Sequence, residues 1–169
     1  MNLTTKQPHI EIWNTEMYGG GKQFTDFPVG GKGAFALCVL LMNGHSRGTV
    51  KLSKTDPLGA PVVDHNYLAH PLDELVLAEG CRYANEILME EKPTKEAIKG
   101  AWPATAHHHK HKSREDWIPY VKDSVGTCYH PSGTCKMANG TSDDPMGVVD
   151  ERLRVKGVQG LRIVDVSIM

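Results

Sequence analysis

The sequence predicts an α+β fold, an antiparallel sheet with helices packed across it, and three features carry that prediction. The apolar run from Ala34 to Met42 leads through the turn Asn43-Gly44-His45 into a stretch, Ser46 to Ser53, in which Val50 and Leu52 alternate with Thr49 and Lys51. Period two on either side of a glycine-bearing connection reads as an antiparallel pair. From Pro71 onward the period lengthens to that of a helix, and the last third returns to short apolar steps separated by Gly157 and Gly160.

Residues 1–33 form a glycine-rich segment in which Tyr18-Gly19-Gly20-Gly21-Lys22 and Val29-Gly30-Gly31-Lys32-Gly33 read as loops. A second division, 34–145, holds the sheet and helices; a third, 146–169, holds the closing strands. Lys54-Thr55-Asp56-Pro57-Leu58-Gly59-Ala60-Pro61 is a loop by its proline and glycine, ahead of the step Val62-Val63. Pro71 suits the first turn of a helix, Asp73 and Glu74 suit its positive dipole end, and Lys92-Pro93 supplies the stop. Leu72, Leu75, Val76, Tyr83, Ile87 and Leu88 fall near one face, which is expected to pack on the sheet. Residues 94–111 mix Gly, Pro and four histidines without period and read as a surface excursion with one short helix at its start. Ser113 then caps an acidic first turn, and Trp117, Ile118, Tyr120 and Val121 give a short amphipathic helix. Val148-Val149, Leu153-Arg154-Val155 and Leu161-Arg162-Ile163-Val164 are the expected closing strands.

With 169 residues the chain is one domain's length, short for an enzyme that carries a whole dinucleotide site. Nineteen basic against twenty acidic residues leave a formal charge of −1, so there is no global field to gather nucleic acid or an anionic membrane. Neither partner is expected. The apolar run 34–42 is about half of what crosses a bilayer. Residues 1–6 show no secretory pattern, and the compartment stays unassigned. Cys38, Cys81, Cys128 and Cys135 are widely spaced, which fits buried thiols rather than a disulfide framework or a zinc module.

Several signals fail on physical grounds. Gly31-Lys32-Gly33-Ala34-Phe35-Ala36 matches a dinucleotide fingerprint in letters, but a strand-like run follows it where a helix should begin. His107-His108-His109-Lys110-His111 lacks a matching ligand pair, so it reads as a solvated loop and no metal is expected. Asn2-Leu3-Thr4 and Asn139-Gly140-Thr141 fit the glycan acceptor pattern, which has meaning only in a secretory compartment.

Chemistry concentrates in Cys128-Tyr129-His130-Pro131-Ser132-Gly133-Thr134-Cys135-Lys136-Met137, followed by Asp143-Asp144-Pro145-Met146. Proline pushes His130 away from helical backbone, and Ser-Gly-Thr lets the main chain come close to something flat or bulky. From the residues alone, His130 is either a structural donor or a catalytic base, and Asp165 either a cap or a cofactor contact. From Ser46 to Met169 the chain resembles the carboxy-terminal part of the glucose-methanol-choline (GMC) family of flavin oxidoreductases. The matching pieces are Ser46-Arg47-Gly48-Thr49-Val50-Lys51-Leu52, Asp56-Pro57, Pro61, Asn66-Tyr67-Leu68, the His-Pro-x-Gly-Thr-Cys-x-Met element, residues 149–155 and residues 160–169.

The resemblance implies that 34–145 is a substrate-binding type of domain and that 146–169 returns to an FAD-binding part. It implies oxidation of CH–OH donors by hydride transfer to FAD, with His130 facing the reacting hydroxyl and Asp165 and Val166 beside the cofactor. A small alcohol and a separate amino-terminal FAD-binding portion are then the expected partners. The sequence departs from the family pattern at Ala138, where glycine is usual. It also shows no true dinucleotide fingerprint, and it ends where the family continues to a second catalytic His or Asn. The expectation is a carboxy-terminal fragment that is inactive alone and does not bind FAD by itself. A non-catalytic binding module built on the same fold is the alternative, and a metal protein using the histidine tract a third.

Overall fold

The computed structural model describes residues 5–15, 33–140 and 144–169. The glycine-rich stretch from Tyr18 to Lys32, the Asn2 acceptor pattern, Thr141 and Asp143 lie outside the described residues. The chain is mixed helix and sheet, and it divides into two compact units: Met1–Gly48 with His65–Gly126, and Thr49–Asp64 with Thr127–Met169. Among the described residues no helix is long and apolar enough to cross a membrane.

In the first unit, β1 (Ile10–Thr15) pairs antiparallel with β2 (Ala36–Leu41), from Ile10 opposite Leu41 to Thr15 opposite Ala36. The expected partner of the 34–42 strand was instead 46–53. That pairing does not form, because the main-chain N–H groups of His45 and Ser46 are drawn onto the carboxylate of Asp73. Arg47 also turns its guanidinium back to the carbonyls of Gly44 and Ser46. The chain therefore leaves the sheet at Gly44.

Helix α1 (Pro71–Glu90) begins as its sequence demands, with Pro71 in the first turn and the His70 ring accepting the Leu72 N–H at 3.2 Å. A four-residue helix, α2 (Thr94–Ala97), follows, and then α3 (Arg114–Ser124). Ser113 and Asp116 form a reciprocal capping box on α3. The core gathers Leu77 and Ala78 of α1 with Trp117 and Val121 of α3, and Val39, Leu41, Leu68, Cys81 and Ile118 pack around them.

The buried face of α1 is not the one that its large apolar residues mark. Asp73, Leu77, Ala78, Gly80 and Ala84 are buried, whereas Tyr83 is exposed. Small residues decide the matter, because they let the helix axis approach the sheet. A Cβ on Gly80 would lie 2.6 Å from Val39 Cγ1 and 3.3 Å from Ile10 Cδ1. Burial pushes the Cys81 thiol up to about 11, so it is inert. Cys38 and Cys135 are half-buried, but Cys128 is exposed, against the expectation for all four.

The histidine tract is also not the solvated loop expected. His108 is half-buried, with its ring 4.8 Å from that of Tyr120 and 5.7 Å from that of Trp117. His111 meets Trp117 edge-on at 5.2 Å. Asn85 of α1 donates to the carbonyls of His109 and His111, which ties the tract to the helix. The imidazoles of His108 and His111 serve as aromatic packing over α3, while His109 Nδ1 accepts the Ala101 N–H at 3.1 Å.

The second unit is built with little regular structure. β3 (Thr49–Lys51) pairs antiparallel with β4 (Val62–Asp64), Val50 opposite Val63. The closing strands expected at 148–149, 153–155 and 161–164 are reduced to isolated bridges: Met137 with Val149, Val149 with Val155, and Arg154 with Arg162. Turns interrupt each run before a ladder can extend. Leu153 takes a left-handed φ of +64°, and Gly157 and Gly160 follow at +77° and +75°.

Candidate functional site

The sequence singles out His130 and the pair Asp165 and Val166, and both segments fall in the second unit. They are stitched together by main-chain hydrogen bonds: Cys135 N–H donates to the Ser167 carbonyl and Met137 N–H to that of Ile168, each at 2.8 Å. On the other side Ala138 N–H donates to the Val149 carbonyl at 2.8 Å, and Val148 N–H donates to the Lys136 carbonyl at 2.7 Å. The segment after His130 is thus the middle of a three-segment seam, anchored by Val149, which is 0% exposed.

Two glycines let the seam close. Gly133 sits at φ +80°, and a Cβ there would come 3.2 Å from the main-chain oxygen of Met169. Gly147 faces Ala138 so closely that a Cβ would lie 2.6 Å from the Ala138 Cα. The alanine that departs from the family pattern is accommodated by this glycine.

Carboxylates fix the turns. Asp150 accepts the Arg152 and Arg154 N–H groups, each at 2.9 Å, and forms a two-pronged pair with the Arg154 guanidinium at 2.8 and 2.7 Å. The Arg154 side chain, helped by the two N–H groups, brings its pKa down to about 2. Asp144 accepts from Met146 and Asn139 N–H, which lower its pKa, with Lys136 Nζ 3.6 Å away. Asp165 caps the closing 3₁₀ turn, Val166–Ile168, by accepting the Ser167 N–H at 2.8 Å, and the Ser167 side chain first, with this N–H after it, lowers its pKa. Of the two roles open to Asp165 in the sequence, the cap is visible in this geometry, and it leaves the Val166 side chain exposed.

His130 precedes the seam in a run, Cys128 to Thr134, that is exposed throughout. Tyr129, immediately before it, takes a left-handed φ of +61°, a costly conformation for a bulky residue, and its N–H is held by Thr127 Oγ1 at 2.9 Å. The same unit carries large apolar side chains turned outward: Tyr129 is 83% exposed, Met169 79% and Val164 73%. Exposed apolar groups on hydrogen-bonded main chain are what a bound flat ring or adjoining protein would cover.

A second constellation, in the first unit, has no signal in the linear sequence. His45, His70 and Asp73 bring one potential ligand atom each within 4.8 Å of one another. The rings of His45 and His70 stack at 4.9 Å, and His45 Nδ1 stands 3.4 Å from Asp73 Oδ1. Yet Asp73 Oδ2 already accepts from Ser46 Oγ at 2.6 Å, Ser46 N at 2.7 Å and His45 N at 3.0 Å, while Oδ1 accepts His45 N at 2.8 Å. Burial opposes its ionisation, but these donors win and its pKa is lowered. Its lone pairs are spent on clamping the Ser-Arg-Gly segment to the start of α1, which is a structural task. A serine and a buried aspartate more than twenty residues apart give a reader of the sequence nothing to join.

Comparison with known proteins accounts for the pattern. The GMC oxidoreductase carboxy-terminal model matches residues 44–169. The GMC oxidoreductase family protein Mala s 12 of Malassezia sympodialis is 35% identical over 136 residues, 80% of this chain and 21% of that protein. Oxygen-dependent choline dehydrogenase 1 of Chromohalobacter salexigens is 37% identical over 76% of this chain and 22% of its own length. Among solved structures, formate oxidase of Aspergillus oryzae superposes with a TM-score of 0.77 at 28% identity, covering 98% of this chain and 28% of the oxidase. The chain thus spans about a fifth of the length of the curated relatives it matches. With its seam, its His-Pro segment and its Ser-Arg-Gly clamp all falling inside the matched residues, this chain belongs to the GMC family of FAD-dependent oxidoreductases, whose carboxy-terminal domain it carries.

Proposed function

We propose that this chain forms the substrate-facing part of an FAD-dependent oxidoreductase acting on the CH–OH group of a small alcohol, with His130 as the base. The observation that carries the reading is the seam. It joins the exposed His130 segment by main-chain hydrogen bonds to the exposed turn that begins at Asp165, so a base and a cofactor-facing surface share one framework. FAD, when bound, supplies the acceptor for a hydride and its two electrons.

Loss of hydride from carbon is far easier when the oxygen it bears carries negative charge. A neutral imidazole at His130 can accept the hydroxyl proton as that charge develops, a contribution typically worth roughly 10²- to 10⁴-fold. The seam holds the main chain from Cys135 onward, and Thr127 Oγ1 holds the Tyr129 N–H just before His130, so the His130 segment is tied down on either side of the exposed run. In this reading Asp165 and the Val166 main chain lie beside the cofactor, Asp165 through the turn it caps.

Among the described residues no glycine turn leads into a helix, so in this reading the pyrophosphate of FAD is held by an amino-terminal portion of the complete protein. Isolated chain mixed with FAD should leave flavin absorption and fluorescence unchanged; a stoichiometric complex would count against this part. The assay for the activity is oxidation of alcohols with a dye acceptor by the complete flavoprotein, as wild type and as His130→Ala. Turnover should fall by more than about a hundredfold in the variant. A redox-silent binding module built on the same fold is the second reading. Flavin that stays oxidised in the complete protein with every alcohol tried would favour it.

A further inference from the structure

A bulky residue in a left-handed backbone conformation stands directly before His130. We propose that Thr127 is a positioning residue for His130: its hydroxyl holds Tyr129 in that conformation, and the conformation sets the direction in which the His130 imidazole leaves the chain. The proposal rests on the reading of His130 as the base.

Tyr129 has a φ of +61°. In this region the Cβ of an L residue crowds the carbonyl oxygen that follows it, so only glycine adopts it without cost. Such a conformation persists only where the surroundings over-determine it. Burial does little here, because Tyr129 is 83% exposed. The hold comes from Thr127 Oγ1, which accepts the Tyr129 N–H at 2.9 Å. A threonine hydroxyl bonded to the main chain two residues on closes a turn of its own, and it ties the amide of the strained residue itself.

On the other side, Pro131 fixes its own φ and pushes His130 away from helical backbone. The proline therefore narrows the choices at 130 and 131, and residue 129 is left as the point at which the chain has a second well to enter. Relaxation of Tyr129 from +61° to the ordinary region near −60° turns the chain beyond its N–Cα bond by about 120°. That rotation carries the Cα–Cβ bond of His130 with it. A base has to stand within hydrogen-bond reach of the proton it takes, so a turn of this size removes its effect. Thr127 acts through the backbone of Tyr129, and its hydroxyl is the acceptor that a valine of the same outline lacks.

The test compares Thr127→Val, which keeps the branched shape and loses the acceptor, with Thr127→Ser, which keeps the acceptor. In the 169-residue chain, hydrogen exchange at the Tyr129 amide, read by NMR, should quicken roughly fivefold in Thr127→Val, the size of one net hydrogen bond, and stay near wild type in Thr127→Ser. In the complete flavoprotein, single-turnover flavin reduction at saturating alcohol should slow roughly fivefold in Thr127→Val with KM little changed, and recover in Thr127→Ser. Thr127→Val added to His130→Ala should slow the reaction no further, because the hydroxyl works only through the imidazole. An unchanged exchange rate at Tyr129 would overturn the proposal, and so would a full fivefold loss on top of His130→Ala. A slow His130→Ala beside an unaffected Thr127→Val would overturn the proposal and leave the base in place. A His130→Ala flavoprotein as fast as wild type would overturn the underlying reading, and the proposal with it.

Discussion

Replacing Asp73 with alanine tests the clamp that diverts the chain out of the first sheet. The carboxylate is 2% exposed and takes four hydrogen bonds, from His45 N, twice from Ser46 and once more from His45 to the second oxygen. Alanine leaves two main-chain N–H groups and a hydroxyl without their acceptor. Each buried donor left unmade costs about 1–3 kcal/mol, and partial hydration at the half-buried His45 and Ser46 brings the sum to about 3–5 kcal/mol. That is a large share of a domain's usual margin of about 5–15 kcal/mol. Asp73→Asn should cost less, about 2 kcal/mol, because one acceptor oxygen survives while an NH₂ is set against two N–H donors. Denaturant unfolding of the chain by circular dichroism measures both. Ser46→Ala combined with Asp73→Ala should be strongly non-additive, with a coupling of about 1 kcal/mol or more. An Asp73→Ala chain within about 1 kcal/mol of wild type would refute the clamp.

Other consequences are as concrete. Burial chiefly, with the charges of His111 and His109 after it, pulls the His108 pKa down to about 4. A base depressed below its unfolded value of about 6.5 contributes stability that is whole above that value and lost as pH falls toward 4. Allowing for the ring's partial exposure, wild type should lose about 1–2 kcal/mol more than His108→Phe over that window, read from denaturation midpoints at each pH. Equal losses would remove His108 as the cause. Gly147→Ala should destabilise the second unit by about 1–3 kcal/mol through the contact at Ala138. Ala138→Gly should restore only part of this, since the Ala138 Cα remains 2.6 Å from the added Cβ. Complete rescue would show that only the methyl groups collide.

The helices were the most legible part of the sequence. Pro71, the acidic turn after it and the Ser113/Asp116 box are local signals, and local chemistry decides where a helix starts. Strand pairing was not legible, because β2 has a partner in Ile10–Thr15 whose short Ile10/Ile12 alternation is overshadowed by the glycines that follow. The buried face of α1 was misjudged for a related reason. A count of large apolar residues favours Tyr83, whereas close approach to the sheet selects Gly80 and Ala84. His108 shows the same limit, since a histidine run looks hydrophilic until Trp117 and Tyr120 are seen to lie beneath it. At the site, His130 and Asp165 could be named from the family resemblance alone. The seam that joins their segments runs between main-chain atoms more than thirty residues apart and leaves no mark on side-chain pattern.

The proton-accepting role of His130 is tested most directly by flavin reduction in a single turnover, followed by stopped flow for the complete flavoprotein and its His130→Ala variant. The account predicts that the variant reduces flavin more slowly by more than about a hundredfold. A variant that reduces flavin at nearly the wild-type rate would contradict it.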